Sequence, residues 1–260
     1  NRLILTFSAN LDSSLVYILT IQNLTDCSGN IMTTASLQII FYTPSAGDIV
    51  MNEIFADPSP QINLPNGEFI ELKNNKNIPV NLNGWTFSDA ATTVTISNII
   101  IPADSFIVLC PNTLVDSFAA RGFTNIVISG VSSLPSLNNS RDSLTLKDNN
   151  GNIIDQVNYS DTWYRDTLKK AGGWTLERID AGNACTDAVN WVASANANGG
   201  TPGTRNSVDG IIYDTVRPAV VSYEVFSANS IKIILSEYID NAQLQTLTNY
   251  NLNNGLGNPI

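Results

Sequence analysis

"NEIFADPSPQINLPNGEFIELKNN", residues 52–75, sets two apolar, strand-length runs on either side of a connection rich in Pro, Gly and Asn. Short apolar runs bounded by turn formers read as β-strands. The same stretch carries four carboxylates, Glu53, Asp57, Glu68 and Glu71. Carboxylates beside a sheet can be a general acid and base, metal ligands, or structural polar groups. In "EFIEL" side chains alternate, so Glu68, Ile70 and Leu72 share one side while Phe69 and Glu71 share the other. Glu68 and Glu71 therefore diverge and cannot form a matched pair from one strand. Glu53 approaches either of them only if "VMNEI" and "EFIEL" are neighbouring strands. The structural role is expected: carboxylates that tie strand ends or accept backbone N–H groups.

The rest of the 260-residue chain continues in the same manner, with charged residues only 14% of the whole. That mix suits short strands joined by polar turns rather than helices with charged faces. Three blocks follow one another. Residues 2–7, 15–21 and 37–42 read as three antiparallel strands, followed by the linker "TPSAGD" at 43–48. Residues 49–206 hold many short strands and one helix, "NTLVDSFAARG". There Leu114, Val115, Phe118 and Ala119 share a face, Asn112 or Thr113 is the cap, and Gly122 is the stop. Beyond residue 217, "AVVSYEVFSANSIKIILSEYID" gives two strands about a turn at 228–230, and "NYNLNNGLGNPI" a further short one.

Several chemistries are excluded early. The sequence has no histidine, so a Ser-His-Asp or Cys-His site is impossible within it and no zinc site is expected. Cys27, Cys110 and Cys185 lie far apart without CxxC spacing. They allow at most one disulfide, with free buried thiols as the alternative. A formal charge of −10, from 23 acidic and 13 basic residues, disfavours nucleic acid and anionic lipid as partners. No apolar run is long enough to span a bilayer. "NRLILTFSANL" opens without a signal-peptide pattern, and a piece of a longer polypeptide is expected.

Three features invite a site. "KDNNGNIIDQ" places Asp148, Asn150, Asn152 and Asp155 at calcium-loop-like intervals. Its Gly is misplaced, no Glu closes the loop and the flanks are strands, so an Asn-Gly hairpin is expected instead. Asp155 shares strand parity with Ile153, Val157 and Tyr159. If that side is buried the carboxylate needs a partner, Arg178 being one candidate. Trp85, Trp174 and Trp191 read as core anchors, while "DTWYRD" looks like a loop in which Trp163 and Tyr164 are exposed.

Taken in order, "VMNEIFADP", "GEFIELKNNKNIPVNLNGWTFSD" and "IIIPADSFIVLC" resemble the lamin tail domain, the immunoglobulin-like module of nuclear lamins that also occurs in bacterial extracellular proteins. "SLTLKDNNGNIIDQVNY", "GGWTLERID" and "GGTPGTRN" are similar to the later strands of its bacterial form, giving a domain over 48–207. The flanks, 1–44 and 217–260, resemble the second and first halves of a bacterial immunoglobulin-like repeat, in permuted order. The resemblance implies an all-β protein of two immunoglobulin-like sandwiches, the central one lamin-tail-like with one short helix. It implies no catalytic residues, no cofactor and no metal. The expected function is a structural, adhesion or tethering module of a large secreted or cell-surface bacterial protein. Its expected partners are other domains of the same polypeptide or cell-surface components, and it is a monomer or pairs through swapped or head-to-tail terminal halves. Two other classes are carried: an accessory module of a secreted hydrolase, such as a nuclease or phosphoesterase, and a carbohydrate- or calcium-binding module.

Overall fold

The computed structural model describes residues 3–11, 15–97, 99–123, 128–131, 133–183, 188–213, 217–236, 239 and 241–260. The chain divides into two compact units, residues 1–45 and 46–260. Cys185 lies outside the described residues.

In the first unit, β1 (Val16–Ile21) and β2 (Ala35–Ile40) form an antiparallel hairpin. Cross-strand register puts Tyr17, Leu19, Ile21, Leu37 and Ile39 on one side, an apolar face. The connecting loop is closed by Asp26, whose carboxylate accepts the Ser28 and Asn30 amides at 2.9 and 2.8 Å. The strand expected over residues 2–7 does not form: 3–7 is irregular, and Leu3, Ile4, Leu5 and Phe7 are exposed. Without a neighbour to take its backbone groups, an apolar run has no reason to hold strand geometry.

The second unit is built on a sandwich. Its strands are β3 (Ile49–Phe55), β4 (Phe69–Asn74), β5 (Val80–Asn81), β6 (Thr86–Ser88), β7 (Thr93–Thr95) and β8 (Ile100–Ile101). They continue with β9 (Phe106–Pro111), β10 (Ile128–Val131), β11 (Arg141–Lys147), β12 (Ile153–Ser160), β13 (Leu176–Arg178) and β14 (Trp191–Ala193). One sheet has the order β10-β9-β4-β3-β13-β14 and the other β12-β11-β6-β7, while β5 and β8 pair separately. The inner side of the smaller sheet carries Phe87, Val94, Leu144, Leu146, Val157 and Tyr159, all buried. It faces the side of the larger sheet that carries Ile54, Ile70, Leu72, Ile107, Leu109 and Leu176.

The larger sheet is buried on its other side too. Phe55, Phe69, Val108 and Cys110 pack there beneath Leu64, Leu114 and Phe118. The last two come from a 3-10 turn, Asn112–Leu114, running into α1 (Val115–Ala120). Of the predicted helix face Leu114, Phe118 and Val115 pack inward while Ala119 is exposed; no side chain caps the helix, and Gly122 follows at φ +86°.

The entry of "LNGWT" into a strand is explained at Gly84, whose φ of +82° turns the chain so that Trp85 enters the core, 2% exposed. A tighter crossing lies elsewhere. A Cβ on Gly172 would stand 1.9 Å from Ser59 O, on Gly173 2.2 Å from Pro60 O, and on Gly199 2.4 Å from Gly173 O.

The same unit ends in the hairpin β15 (Val220–Ser227) and β16 (Ser230–Leu235), then a single helical turn, α2 (Asn241–Leu244). Tyr223, Val225, Ile231 and Ile233 share one face of this hairpin and are exposed. The further strand expected in "NYNLNNGLGNPI" is only a bridge between Leu252 and Gly257.

Candidate functional site

The carboxylates of the opening stretch separate as alternation requires. Glu68, half-buried, accepts the Leu137 amide at 2.9 Å, and burial pushes its carboxyl up. Asp57 accepts the Ser59 amide at 3.2 Å. Glu71 projects to the other side of β4, where it meets Glu53, because β3 and β4 are neighbours and these two residues are register partners. A bulge makes this possible. Met51 pairs with Leu72 and Glu53 with Glu71, leaving Asn52 as the extra residue. The extra residue turns Glu53 to the side opposite Met51.

A third carboxylate joins them. Glu177 of β13 is the register partner of Glu53 on its other flank. Glu71, Glu53 and Glu177 thus stand in a row across three adjacent strands, all fully buried. The segment 199–208 lies over them and supplies most of their donors. Glu53 Oε1 accepts Thr175 Oγ1 at 2.6 Å and the Thr201 amide at 2.8 Å. Glu71 accepts Asn52 Nδ2 at 2.8 Å and the Gly203 amide. Glu177 accepts Thr201 Oγ1 at 2.9 Å, Ser207 Oγ at 2.7 Å and the Val208 amide at 3.2 Å. Asn206 ties the segment down further, its Nδ2 donating to Asn52 O and Arg178 O. Burial, then the neighbouring Glu177, pushes the Glu53 carboxyl up to about 8. Burial, then Glu53, holds that of Glu71 well above the ordinary glutamate value.

A general acid–base pair must touch a substrate. Three carboxylates sealed beneath a hydrogen-bonded segment cannot, so the row acts on the fold. Sequence reasoning placed Glu53 and Glu71 but missed Glu177. Alternation in "WTLERI" sets Glu177 opposite Leu176 and Arg178, which would have flagged it once β13 was known to flank β3.

On the sandwich side, Asp155 and Arg178 do pair. Asp155 Oδ2 accepts Arg178 Nη2 at 2.8 Å and the Met51 amide at 2.7 Å, and Arg178 Nε donates to Met51 O at 2.7 Å. Arg178 also lies over the Trp191 ring, 4.9 Å to its centroid. Asp155 is buried beside Val157 and Tyr159, whereas Ile153 of the same parity is exposed because the register shifts there.

Two sequence expectations need correction. Trp163 is buried and stacks on Trp191 with centroids 6.4 Å apart, and Tyr164 is buried with its hydroxyl donating to Trp174 O. A 3-10 turn, Asp161–Tyr164, rolls both inward, so neither offers a face to a sugar. Trp174 is only half-buried, its ring carrying Lys169 Nζ at 4.4 Å from the centroid. The 148–152 stretch is the expected hairpin turn. Asp148 turns its carboxylate on its own loop, accepting the Asn150 and Asn152 amides and Asn152 Nδ2. Among the described residues no group of three or more His, Cys, Asp or Glu side chains could hold a metal ion. No described helix is long and apolar enough to cross a membrane. Cys27 is exposed and Cys110 buried, both free, and burial pushes the Cys110 thiol up to about 11.

Residues 43–161 match a known protein family, the Lamin Tail Domain. Comparison with curated proteins finds no match to the chain. The six-stranded sheet reaches beyond the matched residues, since β13 pairs with β3 and β14 with β13.

Proposed function

We propose that the chain, whose residues 43–161 match the Lamin Tail Domain family, is a non-catalytic structural module of a larger secreted or cell-surface polypeptide, spacing or tethering its neighbours. The observation that carries this is the fate of the acidic residues. Glu53, Glu71, Glu177 and Asp155 are all buried, and the hydrogen bonds they accept come from the fold itself. A panel of phosphodiester, ester and glycoside substrates tests it. Only background turnover is expected, and turnover abolished by Glu71→Gln would refute the proposal.

We infer in addition that 1–44 and 217–260 supply the two layers of a second sandwich. Each holds a two-stranded hairpin with one apolar face, formed by Tyr17, Leu19 and Leu37 in one and Tyr223, Val225 and Ile233 in the other. Two-stranded hairpins are marginal alone, and apolar sheet faces stack in pairs. Pairing within one chain has the higher effective concentration. Light scattering should therefore give a monomer mass, and a concentration-dependent dimer would show pairing between chains instead.

A further inference from the structure

The row Glu71–Glu53–Glu177 holds an oxygen without a partner. Glu53 Oε2 is fully buried and accepts no hydrogen bond, while Glu53 Oε1 takes two. An ionised carboxylate has about four acceptor sites and is costly to bury with one oxygen bare. A protonated carboxyl carries no charge for the bare oxygen to leave uncompensated, so burying Glu53 this way costs less in the neutral form. Glu177, by contrast, receives three donors spread over both oxygens.

Among the described residues no cation relieves the row. Arg178 alternates to the other side of β13 and pairs with Asp155. Lys169 donates to Ser194 O and lies over Trp174. Arg205, on the covering segment, is exposed and pairs with Asp209. The remaining groups turned to the row are neutral: Asn52 from β3, Thr175 beside β13, and Thr201, Asn206 and Ser207 from the segment. Beyond it the chain bonds to the residues that follow β13, with the Gly210 amide on Ile179 O at 2.8 Å and the Ile212 amide on Asp180 Oδ2 at 3.1 Å.

The geometry points to a proton-held latch: a proton on Glu53 lets three buried carboxyls coexist and keeps segment 199–208 closed on the sheet, and losing it opens that segment. Opening would release the stretch that leads from the sandwich to the β15–β16 hairpin. This goes beyond the spacing or tethering role and does not depend on what is tethered.

The sign follows from linkage. A carboxyl whose folded value lies above its ordinary 4.5, near 8 for Glu53, binds more protons closed than open between those limits. The latch is therefore fully set below about pH 4.5, weakens as pH rises, and is lost by about pH 8. Each proton released shifts the closed–open balance up to about tenfold per pH unit.

Amide hydrogen exchange on the full chain reads this at Thr201, Gly203 and Val208, whose N–H groups end on Glu53, Glu71 and Glu177. After correction for intrinsic exchange rates, their protection should fall steadily from pH 5 to pH 8, while β4 and β9 amides hold theirs. Glu53→Gln places an amide nitrogen where the carboxyl proton sits, and should keep the segment protected at pH 8. Protection that is flat with pH, an unchanged pH profile in Glu53→Gln, or loss in step with β4 and β9 would each overturn the latch. Should Glu53→Gln fail to fold, carboxyl NMR of the unaltered protein decides: ionisation of Glu53 below pH 5 overturns it, and ionisation near pH 8 supports it.

Discussion

Arg178 Nη2 meets Asp155 Oδ2 at 2.8 Å between the two layers of the sandwich, with both side chains almost wholly out of solvent. Burial pushes the Asp155 carboxyl up against the opposing pull of the Arg178 charge, so solvation and pairing compete at this point. Removing one partner strands the other. Asp155→Ala should cost roughly 3–5 kcal/mol in denaturant unfolding, the range for breaking a buried pair. Adding Arg178→Met should recover a good part of that loss. A single variant within about 1 kcal/mol of the parent, in the range of exposed pairs, would mean that the pair is solvated.

The tryptophans make a second test. Trp85, Trp163 and Trp191 are each buried, and truncating such a side chain costs ~3–5 kcal/mol. Each →Ala variant should melt far below the parent. The loop-like look of "DTWYRD" would instead make Trp163→Ala mild, so calorimetry of that variant separates the two views.

Within the acidic row, the two glutamines should behave differently. Glu71 accepts a donor on each oxygen, from Asn52 and Gly203. An amide there sets one N–H against another, and Glu71→Gln should lose about 1–3 kcal/mol, the cost of an unmade buried bond. Glu53→Gln should lose much less at pH 7. Equal losses in urea titrations would argue against the assigned proton.

Deleting residues 217–260 should leave the melting of the sandwich nearly unchanged. The described residues of that stretch are almost all exposed, and the bonds closing β15 on β16 are their own. A large drop in the main calorimetric transition would show that the hairpin supports the sandwich.

Much of this was legible beforehand where alternation alone decides. The divergence of Glu68 from Glu71, the shared side of Asp155 with Val157 and Tyr159, and the Asn150–Gly151 hairpin all follow from period two and from turn chemistry. What was not legible depends on neighbours. The bulge at Asn52 reverses the side of Glu53, and no local pattern announces it. Glu177 became part of the row only through the placement of β13 beside β3. Residues 199–208, a Gly- and Pro-rich turn by composition, proved to be the cover that supplies Thr201, Gly203 and Ser207 to the carboxylates. Residues 3–7 show the converse, an apolar run whose strand character needed a partner it lacks.

The crossing of Gly172, Gly173 and Gly199 with Ser59 and Pro60 has a practical side. Backbone there passes backbone at distances that leave no room for even a methyl group, so this corner rejects any inserted or substituted residue. The 149–151 turn is its opposite: it is exposed, and a Cβ on Gly151 meets nothing within 4 Å. A foreign peptide spliced into that turn would be displayed on the β11–β12 hairpin, outside the glycine crossing that leaves no room for a side chain.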